Sequence, residues 1–258
     1  MKKIALTSLL TVFAVSSAYA ANVIDGNPLY RPGAGRFYSI TSLDTHSKAV
    51  NDVVLGEEFA YGVTDDLAVA VGTTVSQSDW FDVMSWDTLS VGVNYRALDY
   101  GNWKGDLIAT YSMTPVWGDH AEIMDKETTI YDWTVGARAG YVGDGFTIAG
   151  HVMFDYIGDE SFNWNEEGVH LMRIGVDGQL VLTDSWNLVA GAEYMAWVDE
   201  EFWEADMGLW ELTFGANYNI DETKFVGAYI TKDVQHVNDG EWEVQDGFGM
   251  GVKFGIDF

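Results

Sequence analysis

Counted back from Phe258, large apolar residues fall at every second position: Phe248, Met250, Val252, Phe254, Ile256 and Phe258. Between them stand Gly249, Gly251, Lys253, Gly255 and Asp257, all small or charged. A period of two sends these sets to opposite faces of one strand. Upstream, Trp210, Leu212, Phe214, Ala216 and Tyr218 alternate with Glu211, Thr213, Gly215 and Asn217. Tyr131, Trp133, Val135, Ala137, Ala139 and Tyr141 alternate with Asp132, Thr134, Gly136, Arg138 and Gly140. Leu89 to Arg96 and Phe146 to Asp155 repeat the pattern. Half-apolar strands of this kind fit a sheet with one face in lipid. No water is available there, so every backbone group must be paired and the sheet must close.

The fold class expected is therefore all-β: a transmembrane, antiparallel, up-and-down β-barrel. Twelve strands are expected near 36–45, 51–62, 67–77, 87–97, 103–114, 129–141, 145–157, 168–182, 186–198, 207–219, 223–234 and 247–258. Short turns at 63–66, 100–102, 142–145, 183–185 and 219–222 carry Asp, Asn and Gly, which accept left-handed dihedrals. The opposite ends carry longer acidic connections, near 79–87, 115–128, 158–167, 199–206 and 235–246. An even count leaves both termini at the short-turn, periplasmic end. Glu57 and Glu58 cannot both face the lumen without a bulge, so ten strands preceded by an arm is the alternative.

Residues 1–20 read as a cleaved secretory signal peptide. Lys2 and Lys3 precede an apolar core, and Ala18-Tyr19-Ala20 forms a small-x-small cleavage site. Residues 21–35 form a Pro/Gly-rich periplasmic arm, and 36–258 the barrel. The arm either stays in the periplasm or enters the barrel mouth, where Arg31 and Arg36 would meet lumen acids. The absence of Cys excludes disulfides and thiolate metal sites. Forty acidic against 13 basic residues exclude a nucleic-acid surface, which needs the opposite balance. Aromatics gather towards the strand ends, as two membrane interfaces favour. Trp80, Trp86, Trp197 and Trp210 lie towards the long loops; Trp103, Tyr141, Trp186, Tyr218 and Phe258 lie towards the short turns.

Phe254, Ile256 and the terminal Phe258 resemble the assembly signal of bacterial outer-membrane β-barrels. The hairpin from Tyr61 through Val63-Thr64-Asp65-Asp66 to Gly72 is similar to one in channel-like barrels grouped with the MetA-pathway phenol-degradation proteins. Leu182-Thr183-Asp184 and Asn219-Ile220-Asp221 resemble the same unit. The resemblance implies a bacterial outer-membrane location. Its partners would be the barrel-assembly machinery, outer-membrane lipid and lipopolysaccharide.

The inward phase contains Arg96, Lys104, Asp106, Asp132, Arg138, Asp155, Arg173, Asp177, Glu193, Glu211 and Lys253. Two arrangements compete: solvated charges along a water-filled pore, or a paired network that plugs a narrow barrel. Inward glycines, among them Gly72, Gly136, Gly175, Gly191 and Gly255, are expected to leave space and favour a narrow pore. The expected function is a porin-like diffusion channel for small polar solutes or ions, with mild cation preference from its acidic mouth. No resident cofactor is expected, although the acidic loops would suit loosely bound Ca or Mg. A non-conducting structural or adhesive barrel acting through Trp164 and Trp203 is the alternative. Rim hydrolysis at Asp44–His46 or Asp119–His120 is a lesser one, because no Ser nucleophile motif accompanies them. The chain is not expected to be an enzyme.

Overall fold

The computed structural model describes residues 27–78, 83–116, 128–159, 169–198, 208–237 and 241–258. They form strands and turns only. The strands are β1 (Phe37–His46), β2 (Ala49–Gly62), β3 (Leu67–Ser78), β4 (Val83–Tyr100), β5 (Trp103–Val116) and β6 (Thr128–Val142). They continue with β7 (Phe146–Asp159), β8 (Val169–Val181), β9 (Trp186–Trp197), β10 (Gly208–Asp221), β11 (Lys224–Val237), β12 (Glu241–Val244) and β13 (Gly249–Asp257). From β1 to β11, each strand pairs antiparallel with the next, and β13 joins β11 to β1, closing the sheet. β12 and β13 lie one after the other along β11 and are two pieces of one stave. The barrel thus has twelve staves, as expected, and the ten-strand alternative falls away.

The largest boundary difference is in β4. Its ladder skips Asp87, which lies between the pairs Thr74–Thr88 and Val75–Trp86, and skips Ala97 between Arg96–Asp106 and Leu98–Gly105. Each skip is a bulge that reverses the alternation. A strictly period-two reading stops at these two points, whereas the strand runs from Val83 to Tyr100. The last stave differs for a related reason: Val234 pairs with Val244 but Thr231 with Gly249, a slip that interrupts the strand at 245–248.

The barrel turns a soluble protein inside out. Val71, Val135, Ile174, Phe214 and Val252 point outward and are exposed, while Thr74, Thr134, Asp155, Asn187 and Asn217 are buried inside. An apolar outer face of this extent has lipid as its natural solvent. At the seam, the Phe258 amide donates to the Phe37 carbonyl at 2.8 Å, and the two rings stack 4.4 Å apart.

Candidate functional site

All eleven ionisable residues expected in the lumen lie on the inward phase of their strands. Six of them, Arg96, Asp106, Arg138, Asp155, Arg173 and Lys253, are buried. Arg173 grips Asp155 with two nitrogens, Nε to Oδ2 at 2.6 Å and Nη2 to Oδ1 at 2.8 Å, and the Thr134 hydroxyl donates to the same carboxylate at 2.6 Å. His151, absent from the expected set, lies between Asp177 at 3.0 Å and Glu193 at 2.8 Å, one on each ring nitrogen. Both nitrogens can donate only when the ring is charged. Arg96 pairs with Asp106, and Lys104 with Asp99 at the short-turn rim. Glu211 stands directly opposite Glu193 on one side and Asp233 on the other, so three carboxylates share one rung of β9, β10 and β11. Buried oxygens of Asp132, Glu193 and Asp233 accept no hydrogen bond. The wall from β6 to β11 is therefore richer in anion than in counter-charge.

The inward glycines do not leave open space. A Cβ on Gly175 would lie 2.5 Å from the His151 ring, one on Gly191 2.7 Å from Asp177 Oδ1, and one on Gly136 2.3 Å from Met153 Sδ. At Gly72 it would meet Ser90 Oγ at 2.7 Å, and at Gly255 the Phe225 ring at 2.0 Å. These glycines let the neighbouring strand's side chain lie flat across the wall. The space expected beside them is filled by side chains of the adjacent strands, so the wall carries no row of open notches.

The opposite wall carries polar contacts that alternation alone did not reveal. The Tyr38 hydroxyl donates to Glu58 at 2.6 Å. Tyr229 and Ser42 both donate to Asp44. Glu58 faces the lumen and Glu57 the outside, so β2 needs no bulge to place both.

The arm enters the barrel. Asn27-Pro28-Leu29-Tyr30 is a turn closed by the Tyr30 amide on the Asn27 carbonyl at 3.0 Å, with Asn27 Oδ1 accepting from the Leu29 amide at 3.0 Å. Pro28, Leu29 and Pro32 are buried. Two lumen cations hold this turn by its backbone: Arg96 Nη2 donates to the Leu29 carbonyl at 2.7 Å, and Arg138 Nη1 to the Pro28 carbonyl at 2.9 Å. Tyr30 and Arg36 both reach Asp257, at 2.8 and 3.0 Å. Arg31 meets the Asp65 backbone carbonyl rather than a lumen acid. Burial and the nearby Arg96 guanidinium lower the Arg31 pKa from its ordinary value. Ala34 bridges to Gly62, where a Cβ would lie 2.0 Å from the Gly33 carbonyl oxygen. The arm's close seat against β2 therefore depends on that missing side chain.

Trp86, Trp103, Trp186, Trp210, Tyr218 and Phe258 are exposed on the outer face. Trp103 meets Tyr141 edge-on at 5.4 Å, and Trp186 packs near Tyr218 at 5.1 Å. Phe254 also points outward, and Ile256 stands opposite Ser39 of β1 and Lys224 of β11. Trp80, the Trp197 side chain, Trp164, Trp203, Asp119 and His120 lie outside the described residues. Asp44 and His46 are not joined as an acid–base pair: Asp44 is engaged by Tyr229 and Ser42, while His46 Nδ1 accepts the Lys48 amide at 3.2 Å.

No protein-family model matches the chain, and no curated protein is a significant match to it. Solved structures are similar in fold. The NanC porin aligns with a TM-score of 0.57 at 10% identity, over 85% of this chain and 98% of that one. A COG4313 outer-membrane channel from Pseudomonas putida F1 gives 0.54 at 11% identity, over 89% and 98%. The translocator domain of the autotransporter NalP from Neisseria meningitidis gives 0.52 at 14% identity, over 97% of both. With its closed twelve-stave sheet and apolar outer face, the chain has the fold of the bacterial outer-membrane β-barrels.

Proposed function

We propose that the protein is a narrow outer-membrane channel for small polar solutes or ions, with the N-terminal arm as its constriction. The observation that carries this reading is the chemistry of the interior. A barrel built only as a scaffold is most stably filled with apolar side chains, because buried ion pairs rarely repay their desolvation. This barrel instead lines its interior with Arg96, Arg138, Arg173, Asp155, Asp177 and Glu193. Two proteins of similar fold are described as a porin and an outer-membrane channel, which agrees with this reading. The anion excess on the β6–β11 wall and in the long loops would favour cations.

The test is single-channel current from refolded residues 21–258 in a planar bilayer under a KCl gradient. Discrete steps with a cation-biased reversal potential are expected. Silence from protein that is folded and inserted would sink the channel reading in favour of a non-conducting barrel. That second reading has its own support in the close pairing of Arg173 with Asp155 and in the buried arm.

A further inference from the structure

Glu57 stands where a lipid-facing residue is ordinarily apolar. Its outward neighbours along β2, Leu55 and Phe59, are both about half exposed, at 47% and 53%. It lies four residues from Tyr61, which faces outward beside Phe37 at the short-turn end. With a rise of about 3.3 Å per residue and a tilt near 40°, that is roughly 10 Å into the apolar belt. Thr41 is directly opposite on β1 and Thr73 on β3. Ser39 Oγ donates to Glu57 Oε1 at 2.5 Å and Thr41 Oγ1 to Oε2 at 2.6 Å. On the other flank, Trp86 Nε1 donates to Thr73 Oγ1 at 2.9 Å. A carboxylate with its own hydroxyl donors thus forms a polar island on the outer wall, where hydrocarbon offers no donor and an ionisable group is costly. The lumen chemistry makes no use of it.

We propose that a second copy of this chain packs on this face of β1–β3, giving a twofold dimer in the membrane whose axis runs between β1 and β2, so that each Glu57 faces the partner's Thr41 rather than the partner's Glu57. Two copies inserted in the same sense are related by an axis along the membrane normal, so each residue meets its partner's residues at its own depth. Acceptor and donors of this patch lie within about 5 Å of one another in depth, because Thr41 is paired with Glu57 and Ser39 is one diagonal step away. The patch is therefore complementary to itself: the hydroxyls of either copy can serve either carboxylate. Nothing beyond this chain's own chemistry is needed to cover it. The gain lies in removing Glu57 from lipid rather than in extra hydrogen bonds, and the small Ser39, Thr41 and Thr73 side chains allow two walls to approach closely. The dimer is independent of the channel reading, since it forms whether or not the lumen conducts.

The chain contains no Cys, so one introduced thiol reports its own surroundings. Leu55→Cys keeps the polar island intact, and Val176→Cys places the same probe on β8, far around the barrel. Both proteins, without residues 1–20, are reconstituted in phosphatidylcholine vesicles and treated with a short bis-maleimide. Folding is checked by the mobility of unheated protein on gels. Leu55→Cys is expected to give mostly dimer and Val176→Cys mostly monomer. Adding Glu57→Leu to Leu55→Cys should cut the dimer at least fivefold while the barrel stays folded. Equal cross-linking at the two positions, no dimer from folded Leu55→Cys, or indifference to Glu57→Leu would each overturn the proposal. So would a Leu55→Cys protein that is monomeric in vesicles but forms an adduct of another mass in native outer membranes, which would assign the face to a different protein.

Discussion

Asp155 shows how much of the interior depends on single side chains. It accepts two hydrogen bonds from Arg173 and one from Thr134, and all three residues are buried. Removing one member of a buried pair leaves the other charge without compensation, at a cost of about 3 kcal/mol or more. Asp155→Asn should therefore lower the stability of the folded barrel by roughly that amount, read from its urea unfolding in lipid vesicles. Asp155→Leu with Arg173→Met should recover part of the loss, because Arg173 is then not left without its two-nitrogen partner, although Glu193, 3.8 Å from Arg173, loses a counter-charge. If the double variant is as unstable as Asp155→Asn, the pair is held by something other than mutual compensation. The direction of each of these side chains was legible in the sequence, since facing inward is a property of the strand's own alternation. The pairings were not. Arg173 meets Asp155 across a ladder, and Tyr229 meets Asp44 from 185 residues away; such contacts depend on a register that one-dimensional periodicity does not contain. His151 shows the limit well, being in phase with Asp155 yet recognisable as a bridge only once β8 and β9 are alongside.

At the scale of elements, alternation located every stave and erred where a ladder slips. β4 extends past both of its bulges, and the final stave breaks into β12 and β13. The arm is a different case. Its composition argues against strand, and its described residues, 27–35, form none; but no local pattern tells a loop in water from a loop held by Arg96 and Arg138. Its seat rests on the close approach of Gly33 to Gly62, and this gives a test that deletes nothing. Gly62→Ala places a methyl 2.0 Å from the Gly33 carbonyl oxygen, inside any tolerable contact, so the arm must move away. If the arm is the constriction, Gly62→Ala should raise the single-channel conductance or the open fraction severalfold, and removal of residues 22–33 should do the same. Unchanged current in both variants would show that the charged wall, not the arm, limits flow.

For the whole molecule, the two ends of the barrel differ in a way that fixes how it should sit in the membrane. The start of β1 and the end of β13 meet at one end of the barrel, where Phe37 and Phe258 stack. The connections there are short: 63–66, 101–102, 143–145, 182–185 and 222–223. At the other end, β5 and β6 are separated by residues 117–127, β7 and β8 by 160–168, and β9 and β10 by 198–207. Those long segments include Asp119, Glu122, Asp125, Glu166, Glu200 and Glu204. Barrels of the outer membrane turn their short connections to the periplasm and their longer loops outward. The acid is then gathered on the outer side, where it would draw cations towards the mouth with a strength that falls as salt rises. A peptide tag inserted after Glu122 should accordingly be labelled by antibody on intact cells, and the same tag inserted after Asp144 only after the outer membrane is permeabilised. Labelling at Asp144 but not at Glu122 would reverse the orientation. The acidic end would then face the periplasm, and any cation preference of the current would arise on that side.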